Sequence, residues 1–276
     1  MIKENNIKFI FLSLSLSLII LIFFFPFFWI ITSSFKSPEE IIATSTTIIP
    51  RSFTLEHYNK ILFNSDFFIY LKNSLIVSFS SMIISIILSV SAAYGLHKLK
   101  FYGNKFVEYS LLVTYAFPGV ILLVPIYLLF AKVNLLNSYF ALIIVNVLFA
   151  TPFAVWMLKA FFKLIPNEIE EAAYIDGASR YIVISRIIIP LAAPGIASVS
   201  IFCFIISWTE YLFASILISG DNLKTLPVGL AGIVGQYQID WGFLLSGAVL
   251  ASLPVILLFV FIGKYFVSGL TEGAVK

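Results

Sequence analysis

The sequence predicts an all-α integral membrane protein with six transmembrane helices and both termini on the cytoplasmic side. Three observations carry this. The chain is 61% hydrophobic and only 11% charged over its 276 residues, about half the charge of a soluble domain. Its apolar residues, 29 Phe among them, gather into runs as long as a bilayer core requires, about 20 residues each. Its Lys and Arg residues divide unequally between the segments that join those runs.

The runs fall at residues 9–31, 71–96, 106–130, 139–161, 191–218 and 243–267. The first is too long for a signal peptide and no small-residue cleavage site follows it, so it reads as a retained anchor. The second carries Ser74, Ser78, Ser81, Ser85 and Ser89 on one helical face, a pattern that favours close helix packing over a polar lining. Pro118, Pro125, Pro152 and Pro254 interrupt later runs, each removing a backbone hydrogen bond and permitting a kink. The chain divides into an anchor with the first extracytoplasmic segment (1–69), a five-helix core (70–268) containing a loop at 163–190, and a cytoplasmic tail (269–276). With the termini inside, eleven of the 17 basic residues occupy inner segments and six occupy outer ones.

That orientation places the stretch EIEEAAYIDGASRYIVISRIIIP, residues 168–190, in the largest cytoplasmic loop. Asn167 is a good N-cap, and Glu170 three residues later completes a capping-box-like pair. Glu168, Glu170 and Glu171 suit the positive end of a helix. Ile169, Ala172 and Ala173 give a narrow apolar face. Gly177 permits a sharp bend, after which a second helical stretch leads to Pro190 and the fifth span. Alanines let another protein approach closely, whereas a lipid anchor would use Leu, Phe or Trp. The stretch therefore reads as a docking knob, with an amphipathic interfacial linker as the other reading.

At Glu171-Ala172-Ala173, Gly177 and Ile187-Ile188-Ile189-Pro190 the spacing resembles the EAA loop of membrane subunits from binding-protein-dependent ABC importers. Ile189 stands where Leu is usual. The form Glu-Ala-Ala-x-Ile-Asp-Gly-Ala resembles the carbohydrate branch, the maltose-type subunits in particular. So do SSFKSPEEI, AAYGLHKLKF, FPGVILLVPIYLLF, TPFAVWMLKAFF, SWTEYLFASILI, KTLPVGL and GLTEGAVK, in that order along the chain. Thr209 replaces the Asn frequent in that branch. The resemblance implies a coupling helix seated in an ATPase subunit, with Glu170, Glu171, Ala172, Ala173, Asp176, Gly177, Ala178 and Pro190 as coupling residues. It implies a homologous second membrane subunit, two ATPase subunits, an extracytoplasmic substrate-binding protein, and a di- or oligosaccharide crossing the cytoplasmic membrane of a prokaryote. Glycerol phosphate or another polar solute is the alternative cargo. An ion-driven secondary transporter is the rival class, and it would carry more ionisable residues within the spans.

Glu210 falls in the outer half of the fifth run beside Trp208 and Tyr211. A charge there costs roughly 2.5–3.5 kcal/mol on insertion scales, so it needs a watery cavity or a partner. Glu210, Trp208, Tyr211 and the ambiguous Asn146 are candidates for the substrate path, and a tie between helices is the other reading of Glu210. The outer loop 221–241 holds Thr225, Leu226, Pro227 and Gly229, together with Gln236, Tyr237 and Gln238; its KTLPVGL segment is the candidate contact with the binding protein. No GxxxxGK[ST] loop is present, so ATP is bound elsewhere. Neither a nucleophile triad nor an acid pair suggests an enzyme, and no basic patch suggests nucleic acid. His57 and His97 lack ligand-spaced partners, Cys203 has no disulfide mate, and no metal or other cofactor is expected.

The orientation is testable by labelling. Single cysteines at Ser179 and Asn222, in a Cys203→Ala background, are treated with an impermeant maleimide after removal of any outer barrier. Only the Asn222 site should react, and labelling at Ser179 instead would reverse the topology.

Overall fold

The computed structural model of the chain describes residues 2–45, 47–99, 101–232 and 239–272, with side chains described at residue 9 and, within those ranges, from 12 to 263. Every regular element among them is a helix. In order these are α1 (Ile2–Ser33), α2 (Pro38–Ile42), α3 (Glu56–Phe63), α4 (Phe67–Lys98), α5 (Asn104–Ala116), α6 (Gly119–Lys132) and α7 (Tyr139–Phe162). Then follow α8 (Asn167–Ile175), α9 (Arg180–Val183), a π-helical turn at Ile184–Ile188, α10 (Ile189–Leu191), α11 (Ala193–Trp208) and α12 (Leu212–Leu217). A 3-10 turn at Asp221–Leu223, α13 (Leu226–Ala231) and α14 (Trp241–Glu272) complete the chain. The last four residues of the expected tail, and Gln236, Tyr237 and Gln238, lie outside the described residues.

Four helices are long and apolar enough to cross a bilayer by themselves: Leu12–Ser33, Phe67–Lys98, Tyr139–Phe162 and Trp241–Gly263. The third and fifth expected spans are not single helices. Asn104–Ala116 and Gly119–Lys132 meet at 96°, and Arg180–Leu191 and Ala193–Trp208 at 76°. The cause at the first bend is Pro118, whose ring disfavours helical backbone in the residue before it; Phe117 is accordingly extended, at φ −74° and ψ 128°. Pro125, Pro152 and Pro254, by contrast, lie inside helices that continue through them. The fifth run, expected to be continuous over 191–218, breaks again after Trp208 before α12 resumes.

Contacts divide the chain into two compact units: Met1–Phe67 with Leu230–Leu253, and Phe68–Gly229 with Pro254–Lys276. In the first, Phe35 stacks on Phe53 and Tyr58, with ring centroids 4.6 and 5.0 Å away. The Thr54 amide donates to the Phe35 carbonyl at 2.9 Å. The His57 ring lies so close over Gly242 that a Cβ there would sit 2.0 Å from its Cε1. Lys60 and Asp240 pair at 2.5 Å.

In the second unit α4, α7 and α11 surround a core that includes Ala93, Ala154, Leu158, Phe162, Val199 and Cys203. The five-serine face of α4 is buried throughout, as expected for close packing, and Ser89 Oγ donates to the Thr151 carbonyl at 3.4 Å. Glu108, an acid within the third expected span, is matched by Lys159 of α7 at 2.5 Å. Lipid tails are as apolar as side chains, so helix contact here depends on close van der Waals fit, each atom pair contributing about 0.1–0.2 kcal/mol. Gly195 is the tightest point between α7 and α11: an added Cβ would meet Phe161 Cγ at 2.4 Å. Gly195→Ala should cost about 1–3 kcal/mol through overpacking. A lowered unfolding midpoint of the purified protein in nanodiscs checks this, and an unchanged melt would mean that the Phe161 ring moves aside freely.

Candidate functional site

The loop 163–190 begins where Pro166, in an extended conformation, precedes α8. Asn167 is the first helical residue and not the cap, and the expected capping box does not form. Its side chain is used elsewhere: Asn167 Oδ1 accepts from Lys98 Nζ at the end of α4. The same ammonium lies 2.9 Å from Glu170 Oε1, and Tyr94 Oη donates to Glu170 Oε2 at 3.3 Å. One turn of α4, carrying Tyr94 and Lys98, thereby holds both residues that were expected to cap the helix. A cavity of about 230 Å³ opens beside this cluster, with Glu171, Tyr174 and Arg180 on its rim.

The helix ends as Gly177 requires. Gly177 has φ +81°, its N–H donates to the Tyr174 carbonyl at 3.0 Å, and the Ala178 N–H reaches the Ala173 carbonyl at 3.0 Å. This is the two-bond C-terminal closure in which glycine occupies the left-handed position. Ala178 then packs against the core that contains Ala173, and the Ser179 side chain accepts from the Ile182 amide to start α9.

The expected apolar face of Ile169, Ala172 and Ala173 is split by this seating. Glu170 and Ala173 turn inward and are buried, while Ile169, Glu171, Ala172, Asp176 and Gly177 stay exposed. Ile175 is 86% and Tyr181 80% exposed, so the outward surface is more apolar than the alanines alone suggested. Glu170 is therefore an anchor to α4 and not part of the exposed surface. Pro190 is exposed in α10, just before the bend at Ala192.

In the broken fifth span Trp208 is buried and stacks on Phe204 at 5.4 Å. Glu210 follows in the gap between α11 and α12. Its carboxylate accepts from the amides of Phe213 at 2.7 Å and Ala214 at 2.9 Å. The acid thus answers the free N–H groups of α12, a role that a search for intramembrane charges does not reveal. Tyr211 is half exposed beside it, and Asn146 is buried in α7 with Nδ2 on the Leu142 carbonyl at 2.9 Å. Among the described residues no group of His, Cys, Asp or Glu is arranged to hold a metal.

Residues 85–272, which include this loop and the broken span, match the family described as binding-protein-dependent transport system inner membrane component. The chain belongs to that family. It is 39% identical over 256 residues to the inner membrane ABC transporter permease protein YcjP of Escherichia coli (strain K12), covering 91% of each chain. It is 32% identical over 278 residues to the trehalose/maltose transport system permease protein MalG of Thermococcus litoralis, covering all of this chain and 99% of the relative. Among solved structures it shares its fold with a bacterial ABC transporter involved in the import of the acidic polysaccharide alginate. The TM-score is 0.81 at 22% identity, over 95% of this chain and 98% of the other.

In this permease the KTLPVGL segment packs against the rest of the chain. Thr225, Leu226 and Gly229 are buried, and Pro227 is partly so. The Leu226 amide donates to Ser74 Oγ at 2.7 Å, and Asn73 Nδ2 donates to the carbonyls of Asn222 and Lys224 at 2.9 and 2.8 Å. Gly229 seats the Tyr70 ring so closely that a Cβ would lie 2.1 Å from it. The start of α4 thus holds this segment, just as its end holds α8. The sequence signal that went unread is the pairing of Tyr94 with Lys98, four apart and so on one helical face.

Removing one partner of a largely buried ion pair leaves the other charge uncompensated, at a cost of up to about 3–5 kcal/mol. Lys98→Met should therefore detach α8 from α4 while the core stays folded. Faster amide hydrogen exchange across 167–176, with exchange in α11 unchanged, is the expected result; equal protection in both would show the pair to be dispensable.

Proposed function

We propose that this permease is one of two homologous membrane subunits of an ABC importer for a neutral di- or oligosaccharide. It acts in the cytoplasmic membrane of a prokaryote with both termini inside, and two separate ATPase subunits dock below. The observation that carries this reading is α8: a short helix closed by Gly177, with apolar side chains outward and Glu170 held from behind by Lys98. A helix so backed can be pushed as a rigid body, and its motion passes directly into α4 through Lys98 and into α11 through α9 and α10. Glu171, Ala172, Asp176 and Ile175 form the face offered to the ATPase. Closure of the ATPase pair on ATP then switches the 70–268 core between inward- and outward-facing states. The permease itself performs no bond-breaking chemistry.

The sugar reading draws support from the trehalose/maltose relative that spans the whole chain. The substrate path includes the gap at Glu210, where Tyr211 offers an exposed ring and an oxygen. The external binding protein meets the 221–241 loop, for which Thr225, Leu226, Pro227 and Gly229 provide the rigid root.

Coupling is tested at the bend. An L-residue in the left-handed conformation costs about 1–2 kcal/mol, and the space around Gly177 is open, so substitution strains the backbone without a clash. Gly177→Leu should lower sugar uptake about five- to thirtyfold by that cost, with the protein inserted at normal level. Gly177→Asn, which tolerates this conformation better, should retain more uptake. Normal transport by Gly177→Leu would remove the coupling role.

A further inference from the structure

Within the unit formed by Met1–Phe67 and Leu230–Leu253, two adjoining cavities of about 440 and 670 Å³ share Ile41, Ile42 and Trp241. Each falls within the roughly 300–1,000 Å³ of ordinary ligand sites. The smaller is bounded further by Trp29, Ser33, Lys36 and Glu40, at the end of α1 remote from its N-terminus.

The cations here are already matched within the protein. Lys36 is buried, its ammonium donating to Ser33 Oγ at 3.1 Å and the Thr47 carbonyl at 2.5 Å, 4.3 Å from the Trp29 ring centroid. Glu40 accepts from the Thr47 hydroxyl and from the Arg51 amide, at 3.1 Å on Oε1 and 3.2 Å on Oε2. The Thr47 hydroxyl holds its carboxyl below the usual carboxylate range, so it is ionised and purely an acceptor. In the larger cavity Lys60 is matched by Asp240. An anionic ligand would lose its hydration without finding a free counter-charge.

What remains uncommitted is of another kind. Trp241 stands at the junction of the two cavities and is 50% exposed. Glu40, with the Thr47 hydroxyl and the Arg51 and Ser52 amides on its carboxylate, is already committed, whereas the carboxylate of exposed Glu56, on the wall of the larger cavity, has no partner among the described residues. Ile41 and Ile42 supply apolar wall. An aromatic face carries negative charge density that attracts the polarised C–H groups of a sugar ring, while an ionised carboxylate accepts its hydroxyls. We propose that this double cavity is a subsite for a neutral carbohydrate, one ring stacked on Trp241 and its hydroxyls on Glu56. The proposal rests on the carbohydrate-importer reading above.

The test uses the complete transporter in nanodiscs, this chain with its partner membrane subunit and ATPase subunits. Trehalose, maltose and maltotriose serve as probes in uptake assays with the binding protein and in saturation-transfer NMR without it. Loss of a stacking contact of about 0.5–1.5 kcal/mol predicts that Trp241→Ala raises the uptake KM about two- to tenfold, with kcat kept, and abolishes the NMR transfer. Trp241→Phe should restore most of both. Ile42→Trp, which fills the shared wall from an exposed position, should weaken binding without removing any proposed contact, and it decides the matter if Trp241→Ala does not assemble. Uptake and transfer unchanged in both Trp241→Ala and Ile42→Trp, while the parent imports sugar, would overturn the subsite alone. The same holds if these variants lose co-purifying phospholipid instead, since the cavity then belongs to lipid. A parent transporter that imports none of the probes would remove the importer reading and the subsite together.

Discussion

Lipid offers no water to a broken backbone, so each interruption of a helix at membrane depth has to be satisfied from within the chain. That constraint explains several features that otherwise look unrelated. The gap after Trp208 leaves the first amides of α12 without helical partners, and Glu210 supplies acceptors for two of them. The connection from α6 to α7, between the spans, closes its backbone from within the chain as well: Asn134 takes a positive φ, and the Leu135 amide returns to the Phe130 carbonyl. Asn137, also at positive φ, donates its amide to the Leu217 carbonyl and accepts from the Ser219 and Gly220 amides. At Pro118, which removes both a donor and the helical preference of its neighbour, the chain turns sharply instead of capping.

The same helix, α4, is gripped at both ends. At one end Asn73, Ser74 and Tyr70 hold the 222–229 segment; at the other, Tyr94 and Lys98 hold α8. Between them runs a face of buried serines, small enough for close packing throughout its length. A helix of membrane-spanning length tied to α8 at one end and to the 222–229 segment at the other is a physical connection along the length of a span. In a transporter such a connection is useful because a displacement at one end need not be absorbed along the way.

Much of the docking loop could be read from the residues. Gly177 forecasts its own left-handed turn, since no other residue type adopts it at so little cost, and Ser179 starts the following helix as a Ser should. The roles of Asn167 and Glu170 were misread because a capping box is defined by spacing alone. A lysine sixty-nine positions earlier competes for the same oxygens, and an ammonium makes the stronger bond. Glu210 was expected to have a partner or a watery cavity, but the sequence does not name that partner, for a related reason. Its cost in an intact helix is high, but the helix is not intact there, and the amides that answer it exist only because the chain breaks.

Composition, apolar run length and the Glu-Ala-Ala…Gly spacing by themselves determined a multi-span helical membrane protein with a short helix closed at Gly177 after the fourth span. These properties depend on transfer to lipid and on local backbone preference, both of which act residue by residue. Only the tertiary structure decided that the third span bends by 96°, that KTLPVGL folds inward onto α4, and that Trp29, Lys36, Glu40 and Trp241 border one cavity. Each of these outcomes turns on a competition between groups far apart in the chain, whose distances no local pattern encodes.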